Sequence, residues 1–365
     1  LPLRGKLLNV RNASPAMIAK NAVVTDIIKA LGLHHEYDYT DAKNTNTLHY
    51  GRVMLMTDAD VDGIHIEGLV LNMIQTLFPT LFSPDRPKPF LVSMKTPIAR
   101  IKRRPRDLLF YDEHRFKKFV EDSPEGSRLK IKYYKGLGTT KAEDVPDTFA
   151  EKIVSISVGD DDTLALNTVF HKSLADSRKS WLGNYIPGMS AFSLDDLPQE
   201  SSLAASDFIN NELVKFSHDD CKRSIPGMDG LKESQRKILY AVKKRKMHNS
   251  SESVKVAQLG GYIAEHSNYH HGEQNLYDTL VKMAQEFPGS NNIPLMYRDG
   301  MFGTRLEGGK DAASARYIYT KPDRLMELLY MEADDPILER VVDDGDMVQP
   351  VQYSRGNQYV GMFMF

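Results

Sequence analysis

Three carboxylates, Asp58, Asp60 and Asp62, stand at alternate positions directly after an apolar run, in Met54-Leu55-Met56-Thr57-Asp58-Ala59-Asp60-Val61-Asp62-Gly63. If strand geometry continues through them, period two projects all three from one side of the chain. Like charges held that close repel unless a cation neutralises them. An all-oxygen donor set favours Mg²⁺ or Ca²⁺ over zinc. The spacing Asp-x-Asp-x-Asp-Gly also opens an EF-hand loop, but that loop needs a bidentate Glu at its twelfth position, where this chain has Leu69. The other reading is an Asp-rich turn that closes a strand, with Gly63 supplying a positive φ.

Other stretches offer weaker chemistry. Gly303-Thr304-Arg305-Leu306-Glu307-Gly308-Gly309-Lys310 has the look of a phosphate loop, which needs Lys directly after its second spaced glycine and then Ser or Thr. Gly309 holds that place and Asp311 follows Lys310, so no nucleotide site follows. Tyr133-Tyr134-Lys135-Gly136-Leu137-Gly138-Thr139 has glycines suited to close backbone approach to an anion, and an ordinary turn explains them equally well. Asn268-Tyr269-His270-His271-Gly272-Glu273 pairs two histidines without zinc spacing. Arg316-Tyr317 puts a guanidinium beside a phenol, a poor nucleophile unless a base or cation helps it. Among 17 tyrosines the dipeptide alone selects nothing.

The elements that must position these residues divide unevenly along the chain. Its 365 residues, against roughly 100–200 per domain, predict two or three domains. With 41% hydrophobic and 26% charged residues, collagen-like, wholly disordered and disulfide-scaffold classes are excluded. The single Cys221 points to a reducing compartment. No apolar run approaches the roughly 20 residues that span a bilayer, so no membrane is expected. The start, Leu1-Pro2-Leu3-Arg4-Gly5-Lys6, has neither initiator Met nor signal pattern, and an internal piece of a longer chain is the expectation.

Residues 1–185 read as α/β. A helix-like stretch, Ser14–Leu33, alternates with apolar runs at Val53–Met56 and Phe90–Met94, which predicts a mostly parallel sheet. Residues 186–206 read as a linker. From Asp207 the character is helical, at Phe208–Phe216, Leu231–Val242 and Gln274–Phe287. The net charge of -2 means that any nucleic-acid surface is a local patch. Lys95, Arg100, Lys102, Arg103, Arg104, Arg106, Arg115, Lys117 and Lys118 crowd one stretch, and Lys243-Lys244-Arg245-Lys246 another. A solvated face and helix-end cations account for either run by itself.

Taken together the stretches resemble type IIA DNA topoisomerases, in the DNA-cleavage core of the eukaryotic or large-DNA-virus enzymes. The resemblance is carried by Pro2-Leu3-Arg4-Gly5-Lys6-Leu7-Leu8-Asn9-Val10-Arg11, the acidic triplet, and Lys132 to Thr139. It continues through Arg223-Ser224-Ile225-Pro226 with Asp229-Gly230-Leu231-Lys232 and Gln235-Arg236-Lys237, and ends on Gly308 to Thr320 with Ala315-Arg316-Tyr317-Ile318-Tyr319-Thr320. These run in the family's order from the start of the chain to about residue 353.

The resemblance implies a Toprim-type parallel-sheet domain over 1–185, lacking its N-terminal part, and a mainly α winged-helix domain over 207–345. Residues 346–365 would begin a tower domain or be a spliced remnant. It implies that Tyr317 takes a DNA 5′-phosphate, Arg316 stabilises charge on the phosphoryl oxygens, and His271 hydrogen-bonds the reacting phosphate or relays a proton. Lys232, Arg236, Lys237 and Lys135 would contact the DNA backbone. Asp58, Asp60 and Asp62 would hold Mg²⁺, and ATP would serve the full-length enzyme. Double-stranded DNA and a second copy of the chain are the implied partners. The implied compartment is the nucleus for a cellular enzyme, or host cytoplasm, nucleus or virion for a viral one.

Two departures stand out. The family's further metal-binding glutamate, in a Glu-Gly-Asp-Ser motif upstream of Leu3-Arg4-Gly5-Lys6, is not in this chain. The triplet Asp58-Ala59-Asp60-Val61-Asp62 resembles that of bacterial gyrase, whereas the stretch around Tyr317 is eukaryote-like. A viral or divergent protist source would reconcile them. Two other functions are compatible with parts of the pattern: a DNA-binding module without turnover, and a primase- or nuclease-like Toprim protein. The Tyr317 stretch argues against the second.

Overall fold

The computed structural model describes residues 1–3, 5–86, 88–103, 107–124, 129–134, 136–287, 293–343 and 346–353. They form two compact units, Leu1–Asp219 and Asp220–Phe365.

The first unit is built on a four-stranded sheet in the order Val53–Met56, Leu91–Met94, Ile153–Ser157, Glu200–Ala204. Leu91–Met94 is buried along its whole length, as expected of a strand covered on both faces. Val53 pairs with Leu91 and Met56 with Met94 in parallel register. The helix Val61–Leu77 makes that crossover and buries Leu69, Val70, Leu71, Met73 and Ile74 against the sheet.

The sheet is mixed rather than mostly parallel. Val92 faces Ser155 in an antiparallel pair, and Ile153 faces Glu200 in a parallel one. The reversal has a local cause. Between Met94 and Ile153 the chain forms a three-stranded antiparallel sheet of its own, Leu108–Phe110, Ala99–Ile101 and Ile131–Tyr133, under the helix Glu113–Asp122. No single crossover helix therefore forces the returning strand to run parallel.

The segment 186–206, expected as a linker, belongs to this unit. It supplies the edge strand Glu200–Ala204, and the unit continues to Asp219. Ser14–Leu33 is two helices, Pro15–Lys20 and Ala22–Leu31. Asn21 ends the first and caps the second, accepting the Val24 N–H at 3.0 Å. The expected helix at Phe208–Phe216 is longer and contains a π-helical turn at Ile209–Leu213, between Ala205–Phe208 and Val214–Ser224.

The second unit packs helices Glu233–Lys244, Val256–His266 and Glu273–Ala284 around Ile238, Leu239, Leu259, Ile263, Leu276 and Leu280. Two short ribbons accompany them. Val254–Lys255 pairs with Tyr319–Thr320, and Arg340–Asp343 pairs with Asp346–Pro350. Of the segment 346–365, the strand Asp346–Pro350 is thus part of this second unit, and residues 354–365 lie outside the described residues. Among the described residues no helix is long and apolar enough to cross a membrane.

Candidate functional site

The acidic triplet does not continue the strand. Strand Val53–Met56 stops before it, and Asp60 becomes the N-cap of Val61–Leu77, its Oδ1 accepting the Gly63 N–H at 2.7 Å. Asp58 therefore sits in the connecting turn, Asp60 at the cap and Asp62 in the first helical turn. Period two gives way to helix geometry because an Asp followed by a run of good helix packing residues starts a helix. Carboxylates at that end are favoured by the helix dipole. Gly63 is helical and is not among the positive-φ glycines. Its reason is space, since a Cβ there would collide with the Asp58 carbonyl oxygen.

Each carboxylate already has a partner. Asp58 Oδ1 accepts the Leu137 N–H at 2.7 Å. Asp62 Oδ1 is 3.0 Å from Lys6 Nζ, a basic partner outside the motif. Lys6 also stands 4.8 Å above the Phe216 ring, which stacks on His65 at 3.8 Å. The glycines after Tyr134 do meet an anion closely, and it is the chain's own Asp58: a Cβ on Gly136 would be 2.8 Å from Asp58 Oδ1.

Among the described residues no group of three or more His, Cys, Asp or Glu side chains converges to hold a metal. Asp58 and Asp60 are nevertheless exposed, and a carboxylate offers about four lone-pair sites, so one accepted N–H does not exhaust either. Mg²⁺ is commonly held by one or two carboxylates, with water and substrate phosphate completing its shell. The residues present fit that mode. Asp62, half-buried against Lys6, is the least available of the three.

In the second unit Arg316 and Tyr317 lie in a turn closed by the Tyr317 N–H on the Ser314 carbonyl at 2.8 Å. Ile318 is buried and anchors the turn, while Tyr317 is 70% exposed. The Arg316 guanidinium stands 5.7 Å from the Tyr317 ring centre, so a fixed positive charge accompanies the phenol. Tyr319 differs. It lies in the ribbon against Lys255, bonds the Asp299 backbone in both directions, and has the Lys255 ammonium 5.9 Å from its ring centre.

His271 is exposed, its ring edge-on to Tyr269 with centroids 5.5 Å apart. Burial pushes the Tyr269 phenol above its ordinary range, and Glu233 adds to the shift. The glycine-rich segment before Tyr317 is braced internally. The Thr304 N–H and hydroxyl bond Asp311 at 2.8 and 2.9 Å, which holds that carboxyl below its usual range.

The basic candidates separate by burial. Lys232 is exposed at the start of Glu233–Lys244, where Gln235 accepts its backbone N–H at 2.8 Å. Arg236 is buried, and its guanidinium grips Asp229 through two bonds of 2.7 and 3.0 Å and the Leu231 carbonyl through a third. Lys237 is buried too, donating to the Ser267 carbonyl at 2.6 Å. These two cations hold the fold together where the sequence offered them as phosphate contacts. Lys135, Arg4, Arg104 and Arg106 lie outside the described residues. In the long basic stretch, Lys95 is buried on Glu67 at 2.7 Å, and Arg100 bonds Asp107, Asp144 and Asp147.

Sequence reasoning passed over Asp229, which is fully buried and also accepts the backbone N–H groups of Leu231 and Tyr353. Its signal was the turn Gly227-Met228-Asp229-Gly230, where an Asp is the residue that bonds its own backbone two positions on.

Residues 223–355 match the family model of the A-type chain of DNA gyrase/topoisomerase IV, and residues 94–221 match that of the C-terminal associated domain of TOPRIM. The chain is 46% identical over 363 residues to a DNA topoisomerase 2 of Invertebrate iridescent virus 6, covering 97% of this chain and 31% of that protein. It is 42% identical over 364 residues to DNA topoisomerase 2-alpha of Mus musculus, covering 96% and 23%. It also resembles the crystal structure of the Plasmodium falciparum topoisomerase II DNA-binding, cleavage and re-ligation domain, with a TM-score of 0.77 and 40% identity over 96% of this chain and 46% of that one. The chain thus spans less than a third of the curated relatives it matches.

Proposed function

The chain belongs to the type IIA DNA topoisomerases, and on that premise we propose that it is the part of such an enzyme that breaks and rejoins duplex DNA through Tyr317. The observation that carries the reading is the exposed Arg316–Tyr317 turn, anchored by buried Ile318, inside the segment that matches the gyrase/topoisomerase IV family.

In this reading the first unit is of Toprim type and the second of winged-helix type. The Tyr317 phenolic oxygen attacks a backbone phosphorus and forms a 5′-phosphotyrosyl bond as the 3′-oxygen leaves. The phenolic proton passes to a base, and the departing 3′-oxygen gains a proton. Arg316 offsets the negative charge that grows on the phosphoryl oxygens. His271 hydrogen-bonds the same phosphate or relays the proton. Asp58 and Asp60, joined by Asp62 if Lys6 releases it, would hold Mg²⁺, which supplies Lewis-acid stabilisation of the phosphate when bound. Energy is conserved in the phosphotyrosine, so resealing by the released 3′-hydroxyl needs no ATP. ATP belongs to the full-length enzyme. One tyrosine cuts one strand, so a double-strand break takes two copies of the chain.

The test is a covalent-adduct assay. The protein is incubated with duplex plasmid and Mg²⁺, quenched with detergent, and the DNA is examined for protein attached at 5′ ends. Metal-dependent adduct is expected. DNA binding with no adduct under any divalent cation would leave the non-catalytic DNA-binding reading in its place.

A further inference from the structure

The loop Asn268–Gly272, which carries His271, is held from outside its own helices. His270 Nε2 lies 3.1 Å from Asp343 Oδ2. Asn268 Nδ2 donates to the Asp343 carbonyl at 3.2 Å. Lys237 Nζ donates to the Ser267 and Asn268 carbonyls at 2.6 and 3.3 Å, and stands 3.9 Å from the Asp343 carboxylate. Asn268 is itself in the left-handed region at φ 48°, a conformation that persists only when its surroundings determine it. Side chain and main chain of one residue, Asp343, thus each hold one of the two residues that lead into His271.

We propose that Asp343 is a positioning residue for DNA cleavage: by clamping His270 and Asn268 to the end of strand Arg340–Asp343, it fixes the direction in which His271 is presented. The inference rests on the reading above that gives His271 a part in phosphoryl transfer. His271 is exposed, so the placement of its backbone governs where the imidazole can reach. A misplacement of about 1 Å in a reacting group costs roughly a hundredfold in rate. Lys237 completes the clamp from the helix Glu233–Lys244, which accounts for the burial of a lysine so close to exposed Lys232.

The experiment compares Asp343→Asn, Asp343→Ala and His271→Ala in the full-length protein. Single-turnover adduct formation, duplex DNA affinity, thermal stability and amide hydrogen exchange over 268–272 are measured for each. Asp343→Asn is expected to slow adduct formation about ten- to a hundredfold, leave DNA affinity within about twofold, and speed exchange in the loop. A His270→Asn, Asp343→Asn double variant is expected to be no slower than Asp343→Asn alone, because the two act as one contact. If His271→Ala forms adduct at the parental rate, the role given to His271 fails, and the positioning role with it. If His271→Ala is slow while Asp343→Asn keeps the parental rate and the parental loop exchange, only the Asp343 proposal is overturned. A rate that falls merely in proportion to the loss of folded protein, in Asp343→Asn as in Asp343→Ala, overturns it as well.

Discussion

Asp58 Oδ1 accepts the backbone N–H of Leu137 at 2.7 Å, which makes the acidic turn and the Gly136-Leu137-Gly138 stretch one piece of structure. Gly136 has φ 172°, an extended conformation open to any residue, so its role there is to leave room for the carboxylate. Gly136→Ala is expected to push the Asp58 carboxylate aside while the first unit stays folded. The Mg²⁺ concentration needed for half-maximal adduct should rise severalfold with DNA affinity unchanged. Calorimetric titration with Mg²⁺ in the presence of DNA reads the same effect without turnover. An unaltered Mg²⁺ requirement would detach Asp58 from metal binding.

Asp60 has two tasks that a single substitution can separate. As N-cap of Val61–Leu77 it satisfies the Gly63 N–H, and Asn caps a helix about as well as Asp. Asp60→Asn should therefore keep thermal stability near the parental value and lose metal-dependent cleavage. Asp60→Ala should lose cleavage and also about 1 kcal/mol of stability from the missing cap. Equal cleavage by Asp60→Asn and the parent at limiting Mg²⁺ would remove Asp60 from the metal site.

The buried pair Arg236–Asp229 predicts a divergence between cations that lie within one helical turn of each other. Arg236→Met leaves the fully buried Asp229 carboxylate without its main partner, an event that costs about 3–5 kcal/mol. Lys232→Ala removes an exposed charge, should leave stability within about 0.5 kcal/mol, and should lower the slope of log Kd against log salt by about one. Chemical denaturation and salt-dependent DNA binding measure the two. A stable Arg236→Met protein with a reduced salt slope would return Arg236 to the DNA surface.

What was legible in the sequence is mostly what local chemistry decides. Val53–Met56 is a strand, Glu233–Lys244 and Glu273–Ala284 are helices where apolar spacing put them, and the two glycines beside Lys135 do approach an anion. What was not legible depends on partners far along the chain. Nothing in Glu200-Ser201-Ser202-Leu203-Ala204 alternates, and its strand exists because Ile153–Ser157 offers an edge to pair with. Lys6 meets Asp62, Lys95 meets Glu67, and Asp343 meets His270 across separations that no spacing rule covers. Charge runs misled for the same reason, since a lysine's burial is set by the carboxylate or carbonyl that folding brings to it. The Asn21 break in Ser14–Leu33 was readable in principle, because Asn is both a poor helix interior residue and a good cap.

The last prediction concerns which phenol reacts. Tyr317 and Tyr319 are two residues apart, and an extended segment would point them the same way. The segment is not extended at Tyr317: its N–H closes a turn on Ser314, while Tyr319 is in the ribbon with Lys255. Backbone bonds to Asp299 in both directions hold Tyr319 in register, and its exposure is 38% against 70% for Tyr317. The phenol that can meet a DNA phosphate without displacing structure is therefore Tyr317, with the Arg316 charge alongside to offset the charge of the transition state. Tyr317→Phe is expected to keep stability and DNA affinity and to abolish adduct altogether. Tyr319→Phe is expected to keep the adduct with at most a few-fold loss of rate, since removing the hydroxyl leaves its backbone pairing and ring contact in place. Peptide mapping of trapped adducts decides between them, and a nucleotide found on Tyr319 of the parent protein would reverse the assignment.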